Sequence, residues 1–396
     1  MEVIFLDNAA TTPLEPRVKD EMVRMMENFG NPSSTHISGR GAKVEVEVVR
    51  KRIAQRLEAE PGEIFFTSGG TEADNMALFC SVRDLGVKRI ITTTIEHHAV
   101  GHPVEFMVER GEVEAAYLSV NEFGDIDLAE LEALLKDGPK TLVSLMFANN
   151  EIGNLNPVKE ISALCKAHGA LFHSDTVQAM GHLPISVKEV GYDFLTCSAH
   201  KIHGPKGVGF AYVRSGLKIK PLIQGGAQER NMRAGTENTI GIVALGKAFE
   251  IATTEMAEDQ KKVEALKQRV IDGVKRIVPD AKFFGRSGEL DKSLYTVLNI
   301  AFPKSANDML TFSFDMKGIN VSGGSACTSG SNQGSHVIRA LGDWTSKYQP
   351  VRVSFSKFNT EDCVDAFLNV LEEIYVPAQL MIVTVPMRTS LPPVNL

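Results

Sequence analysis

The sequence predicts an α/β fold, a mostly parallel sheet with a second, smaller unit beside it, and three observations predict it. Short β-rich runs alternate with helical patterns over the first half of the chain. One long, charged, amphipathic stretch then separates that rhythm from a second group of strand-like segments. With 396 residues the chain is also long enough to divide into a large and a small domain.

Strands of the first unit are expected at Ile64 to Thr67, Arg89 to Thr94, Val113 to Leu118, Thr141 to Phe147, Ala170 to His173 and Phe194 to Cys197. The helices between them include Glu72 to Leu85, Ala99 to Arg110, Leu128 to Lys136 and Pro157 to His168, the last opening on a proline suited to a first turn. Each crossover returns the chain to one sheet edge, so loops gather at the strands' carboxyl ends. A helix from about Thr239 to Val278 holds or adjoins the domain boundary. Strands follow at Phe283 to Phe302 and Thr311 to Val321, then a last strand at Pro350 to Phe358 and a helix from Thr360 to Ile374. The Pro-rich, apolar tail after Val376 has no periodicity that assigns it. There is no repeat of fixed period, and the longest low-complexity stretch is the Gly/Ser loop at Ser322 to Ser335.

Composition narrows the function classes. Lys and Arg total 42 against 49 Asp and Glu, and a net charge of -7 offers no general attraction to nucleic acid or anionic lipid. Met1 to Asp7 lacks a basic and an apolar leader region, and no apolar run is long enough for a membrane span. A soluble, cytoplasmic protein is expected. The cysteines Cys80, Cys165, Cys197, Cys327 and Cys363 form no CxxC pair and read as free thiols. Four have apolar neighbours and read as small buried hydrophobes, whereas Cys327 sits in the polar Gly/Ser loop.

Thr67-Ser68-Gly69-Gly70-Thr71-Glu72 follows a strand and opens a helix, which gathers free N–H groups, hydroxyls and the positive helix end around one point. That is an anion cradle, although a plain N-cap has the same pattern. It lacks the lysine of GxxxxGK[ST] and the spacing of GxGxxG, so no nucleotide is implied. Lys201 stands just after a strand in a Gly/Pro-punctuated turn, where a lysine is either a surface charge or a Schiff-base amine. Asp175 ends an earlier strand, and a buried Asp is what a pyridinium nitrogen needs as partner. His98 and His102 are four apart and could share a helical face, but no HExxH and no third ligand cluster accompany them, so no metal is expected.

An anion cradle, an Asp and a lysine in one α/β sheet are three parts of a pyridoxal-phosphate site. With Leu6 to Thr12, Asn31-Pro32-Ser33-Ser34, Ser68 to Asn75, Glu96-His97 and Asn149 to Gly153, these segments resemble the cysteine desulfurase family of fold type I pyridoxal-phosphate enzymes. Arg233 to Asn238 and Gly324 to Ser329 complete the set, and the similarity runs to about Phe358.

The resemblance implies a large domain with a mostly parallel, seven-stranded sheet and a smaller α+β domain. It places an arm at residues 1–15, the large domain at 16–255, the small domain with the Cys327 loop at 256–380, and a tail of unknown role at 381–396. It implies pyridoxal 5'-phosphate bound through Lys201, with Asp175 at the ring nitrogen, His97 stacked on the ring and Gln178 at the ring oxygen. Gly70, Thr71, Ser198 and His200 belong to the phosphate site, and Thr236 reaches the phosphate of a neighbouring subunit, which implies a homodimer. Asn150 and Arg352 would hold the α-carboxylate of L-cysteine, for which a guanidinium fork is suited. Cys327 would attack the substrate sulfur, leaving L-alanine and a persulfide for an acceptor such as an iron-sulfur scaffold or a tRNA-thiolation protein. Ser356-Lys357 stands where the family usually has Gly-Arg, and Ser331-Asn332-Gln333-Gly334 replaces a Leu-Glu-Pro-like run. Selenocysteine lyase shares the fold and cofactor, and a non-catalytic scaffold is the reading of another class. Activity ratios on the two amino acids separate the first, and a colourless protein would favour the second.

Overall fold

Parallel strands buried on both faces need helices on each side, and the first two-thirds of the chain supply them in alternation. The computed structural model describes residues 3–136, 138–304, 309–323, 334–344 and 346–383, with backbone alone for 376–383. An arm strand β1 (Ile4–Phe5) and helices α1 (Pro16–Met26) and α2 (Ile37–Leu57) come first. The large sheet then uses β2 (Ile64–Thr67), β3 (Arg89–Thr93), β4 (Glu114–Leu118), β5 (Thr141–Ser144), β6 (Leu171–Ser174), β7 (Phe194–Ser198) and β8 (Gly209–Val213). Their order is β2-β8-β7-β6-β5-β3-β4, and β8 alone runs against its neighbours.

Helices α3 (Gly70–Leu85), α4 (His98–Glu109), α5 (Leu128–Leu135), α6 (Val158–Ala167) and the single turn α7 (Val187–Val190) make the connections. Strand order reverses between β3 and β5, and such a reversal opens a crevice at the carboxyl ends. The sequence reading misses β8, which follows closely on the Gly/Pro-rich turn after Lys201.

After a short turn α8 (Gln228–Asn231) comes α9 (Thr239–Ile277), whose two halves serve two hydrophobic cores. Ile242, Ala248 and Ile251 pack with the large sheet, while Val263, Val270 and Val274 pack with a second group that includes Val297, Phe302 and Phe367. That second unit holds β9 (Lys282–Phe283), β10 (Val297–Pro303), α10 (Leu310–Met316), β11 (Ile319–Asn320), α11 (His336–Ala340), β12 (Tyr348–Ser354) and α12 (Glu361–Val383). β12, β10 and β9 form an antiparallel sheet, and β11 pairs with β1 of the arm.

Three expectations change here. Thr311 to Val321 is chiefly helix, because Leu310 and Phe314, four apart, are both buried and Phe314 stacks on Phe367 of α12. Phe283 to Phe302 is two strands separated by turns, and α12 runs past Ile374 to Val383. Among the described residues no helix is long and apolar enough to cross a membrane.

Candidate active site

At the carboxyl ends of the large sheet a cavity of about 260 Å³ is walled by Gly70, His97, Asp175, Lys201 and Arg352, among others. Local chain geometry delivers each of them. β2 ends at Thr67, Gly69 caps α3 with φ +153°, and no side chain caps that helix, so its first N–H groups are left for a ligand. A Cβ on Gly70 would lie 2.7 Å from Val177 Cγ2, so the approach of the helix to the loop after β6 requires glycine. Thr71 and Ser198 line the same cavity.

Asp175 follows β6 and is buried. Its Oδ1 accepts the Val177 N–H at 2.9 Å and the Thr196 hydroxyl at 3.4 Å. Lys201 closes the 3-10 turn after β7 and donates from Nζ to the carbonyl oxygens of Ala9 and Ala10 at 2.5 and 2.9 Å. Gln178 Nε2 donates to the same Ala9 oxygen at 3.1 Å, so the arm roofs the site. His200 Nδ1 lies 3.2 Å from Thr11 Oγ1, and burial pushes His200 down to about 4.

His97 caps α4, its Nδ1 accepting the Ala99 N–H at 3.1 Å, so a neutral ring carries its proton on Nε2. Burial lowers its pKa and favours that neutral form. Beside it, both oxygens of buried Glu96 accept from the Met146 N–H, and burial raises Glu96 to about 8.

Arg352 sits on β12 at 1% exposure, so it is a buried charge although β12 is an edge strand of its sheet. Nη2 donates to Asp7 Oδ1 at 2.8 Å and Nη1 to the Asn150 carbonyl oxygen at 2.9 Å, while buried Nε has no hydrogen-bond partner. Asn150 lines the cavity as well.

The structure therefore brings together Gly70, Thr71, His97, Asn150, Asp175, Gln178, Ser198, His200, Lys201 and Arg352. Thr236 is exposed and lines a different cavity with Ser68 and Arg233. Cys327 lies outside the described residues. Of the described residues that flank its segment, Ser322 pairs with Arg352, and His336 Nε2 donates to the Glu96 carbonyl oxygen at 2.9 Å. Cys80, Cys165 and Cys197 are buried as expected, but Cys363 is only half-buried, on the solvent side of α12. His98 and His102 stack with ring centroids 4.5 Å apart, and His336 lies against His98. Sequence reasoning missed Asp7, Asp74, His173 and Thr196, whose importance arises only from partners distant in the chain.

Pyridoxal 5'-phosphate fits these residues. The glycine-lined helix start suits its phosphate, the Lys201 amine its aldehyde and the Asp175 carboxylate its ring nitrogen, and the orphaned Arg352 Nε suits an anionic substrate.

The family described as aminotransferase class-V matches residues 4–367. Cysteine desulfurase IscS of Clostridium botulinum is 43% identical over 375 residues, 94% of each chain. Its namesake from Methanosarcina thermophila is also 43% identical, covering 94% of this chain and 92% of the relative. A solved structure titled NifS-like protein matches with a TM-score of 0.86 at 37% identity, over 94% of this chain and 99% of its own. The chain belongs to the class-V aminotransferases and, within them, to the cysteine desulfurases. The resemblance read from the motifs holds, as does the fold class, and the family is one of pyridoxal-phosphate enzymes.

Proposed function

We propose that this chain takes the sulfur from free L-cysteine, releases L-alanine and carries the sulfur as a persulfide on Cys327. The observation that carries the reading is that Lys201, Asp175 and Arg352 line one cavity in a chain of this family. When bound, pyridoxal 5'-phosphate supplies an electron sink for charge developing at the substrate α carbon. Lys201 would hold it through its amine, and that amine, once free, would take the proton from the substrate α carbon.

Asp175 would keep the ring nitrogen protonated, His97 would shield the ring from water, and Gln178 would meet the ring oxygen. Gly70, Thr71, Ser198 and His200 would hold the phosphate. Thr236, exposed in this chain, reaches the phosphate of the neighbouring copy in a homodimer. Arg352 and Asn150 hold the substrate carboxylate.

A free thiol titrates near about 8.5, so a base or cation beside Cys327 must favour its thiolate, and His97 is the candidate once its Nδ1 releases the Ala99 N–H. The new sulfur–sulfur bond forms as the substrate carbon–sulfur bond breaks, and the β carbon keeps the bonding pair and takes up a proton. No outside oxidant or reductant is needed. The persulfide passes to a sulfur acceptor, an iron-sulfur scaffold or a tRNA-thiolation protein, in the cytoplasm. The reading keeps the arm at 1–15, the large domain at 16–255, the small domain at 256–380 and a tail at 381–396.

The test is alanine and sulfide release from L-cysteine by wild type and Cys327→Ala, with absorbance spectra of the same samples. A yellow variant that makes neither product supports the persulfide route. Full activity in that variant would overturn it, and a much greater rate on selenocysteine would make the chain a selenocysteine lyase.

A further inference from the structure

Asp74, in the first turns of α3, also reaches the cavity wall, at 1% exposure, and the reaction above gives it no task. Its Oδ1 stands 3.3 Å from His173 Nε2, and His173 Nδ1 is 2.8 Å from Ser144 Oγ. Asp74 Oδ1 and His173 Nε2 have no hydrogen-bond partner and face each other at 3.3 Å. His173 and Ser144 are both fully buried. The titratable groups that act on Asp74 are two further acids, Asp175 and Glu96, and both raise its pKa. Thr196 donates its hydroxyl proton to Asp175 Oδ1 at 3.4 Å.

A bare carboxylate in so dry a place carries a desolvation cost of several kcal/mol that only a close cation would offset. Here the Asp175 carboxylate works against a charge on it. A carboxylic acid facing a neutral imidazole needs one proton between them, carries no net charge and satisfies both orphaned atoms.

We propose that Asp74 and His173 share one proton as a neutral pair. Asp74 is then a positioning residue, which leaves the Thr196 hydroxyl proton to Asp175 and keeps Asp175 as the one anion facing the cofactor's ring nitrogen. The inference rests on the pyridoxal-phosphate reading for its consequence, though not for the pair itself. The electrostatics agree: burial and then Asp175 push the Asp74 carboxyl well above its usual range, while burial pushes His173 down to about 3.

Infrared spectra of the full-length chain at neutral pH, with and without added pyridoxal phosphate, test the pair directly. Wild type minus Asp74→Asn is expected to show one carbonyl stretch of a protonated carboxylic acid, and its absence overturns the proposal. In the loaded protein Asp74→Asn, neutral and of the same shape, is expected to bind pyridoxal phosphate within about threefold of wild type and to leave the pH midpoint of its absorption band in place. Asp74→Leu strands His173 and is expected to loosen the cofactor about tenfold, the lower part of the range for an unsatisfied buried group. An Asn variant that binds as weakly as Leu, or that moves the midpoint by about one pH unit, means that Asp74 is an anion and sinks the idea. Should Asp74→Asn fail to fold, His173→Gln offers an amide oxygen to the same proton and is expected to shift the stretch, and an unmoved band overturns the pairing. A chain that takes up no cofactor at all would fail the functional reading while the infrared result still decides the pair.

Discussion

Arg352 and Asp7 meet at 2.8 Å across the join between the N-terminal arm and β12, so the arm fixes the guanidinium read as the substrate's carboxylate clamp. Asn150 holds the other terminal nitrogen through its carbonyl oxygen, and Arg352 still lines the cavity with N–H groups to spare for an anion. Planarity makes this useful: with two nitrogens anchored, the plane of the fork is set before substrate arrives. Asp7→Asn keeps a hydrogen bond but loses the charge, and is expected to raise KM for cysteine roughly tenfold, the scale of one charge-assisted hydrogen bond. The cofactor absorbance should not change. Steady-state kinetics with an unchanged KM would show that the arm does not orient Arg352.

Gly70→Ala tests the cradle. Alanine favours the helix by about 0.5–1 kcal/mol over glycine, yet its Cβ would sit 2.7 Å from Val177 Cγ2. Overpacking of that kind costs about 1–3 kcal/mol, so the clash wins. Relief comes by moving Val177, whose N–H holds Asp175 at 2.9 Å, and the carboxylate proposed for the ring nitrogen moves with it. Weaker pyridoxal-phosphate binding is expected, with recovery in Gly70→Ala combined with Val177→Ala. Equilibrium dialysis reads both, and failure of the second change to restore binding would rule out this steric account.

Acid stability should carry the mark of His203. Its Nδ1 donates to the Pro13 carbonyl oxygen at 2.8 Å, and burial, the largest influence, pushes its pKa from 6.5 down to about 4. Between those values the unfolded chain binds a proton that the folded chain refuses. Stability from this group is therefore whole above pH 6.5 and falls as pH drops towards 4, by on the order of 3 kcal/mol. Its backbone φ of +65° suits asparagine, so His203→Asn should fold. Urea melts across that window are expected to show a shallower pH slope for the variant, and parallel slopes would exclude His203 as a source.

The alternation of strands and helices was legible because strands buried on both faces read as continuous apolar runs. Lys201 and Asp175 were legible because strand ends and turn residues mark them. β8 was not: Gly209 to Val213 is a strand only because β2 and β7 flank it. α10 was misread because Thr311 to Phe314 has β-type composition, while its burial follows an i, i+4 pattern that α12 selects. Asp74 looks like an ordinary acid near a helix start, and nothing local announces a histidine 99 positions away (173 minus 74) across the sheet. Lys357 contacts Glu15 and Glu255 at 2.8 and 2.9 Å and ties the arm to the long helix, a link that depends on partners far from it in the sequence.

The loop that carries Thr236 begins at a strained point, and its stability should depend on Arg50. Glu229, Arg230 and Asn231 have φ of +45°, +58° and +65°, an unfavourable conformation for residues with a Cβ, at about 1–2 kcal/mol each. What holds the first of them is a fully buried fork: Arg50 Nη1 and Nη2 each lie 2.8 Å from a Glu229 oxygen, and the Phe66 N–H donates to the same carboxylate at 2.8 Å. Helix α2, strand β2 and the loop are thereby tied at one carboxylate. Arg50→Leu leaves Glu229 charged and buried without its partner, and is expected to cost about 3–5 kcal/mol in urea unfolding. The double change Arg50→Leu with Glu229→Leu should recover most of that loss, because apolar pairs often replace buried ion pairs at little cost. A loss under about 1 kcal/mol for Arg50→Leu alone would mean that water reaches Glu229, and that the strained turn is held by Arg230 through Glu47 and the Pro61 carbonyl oxygen.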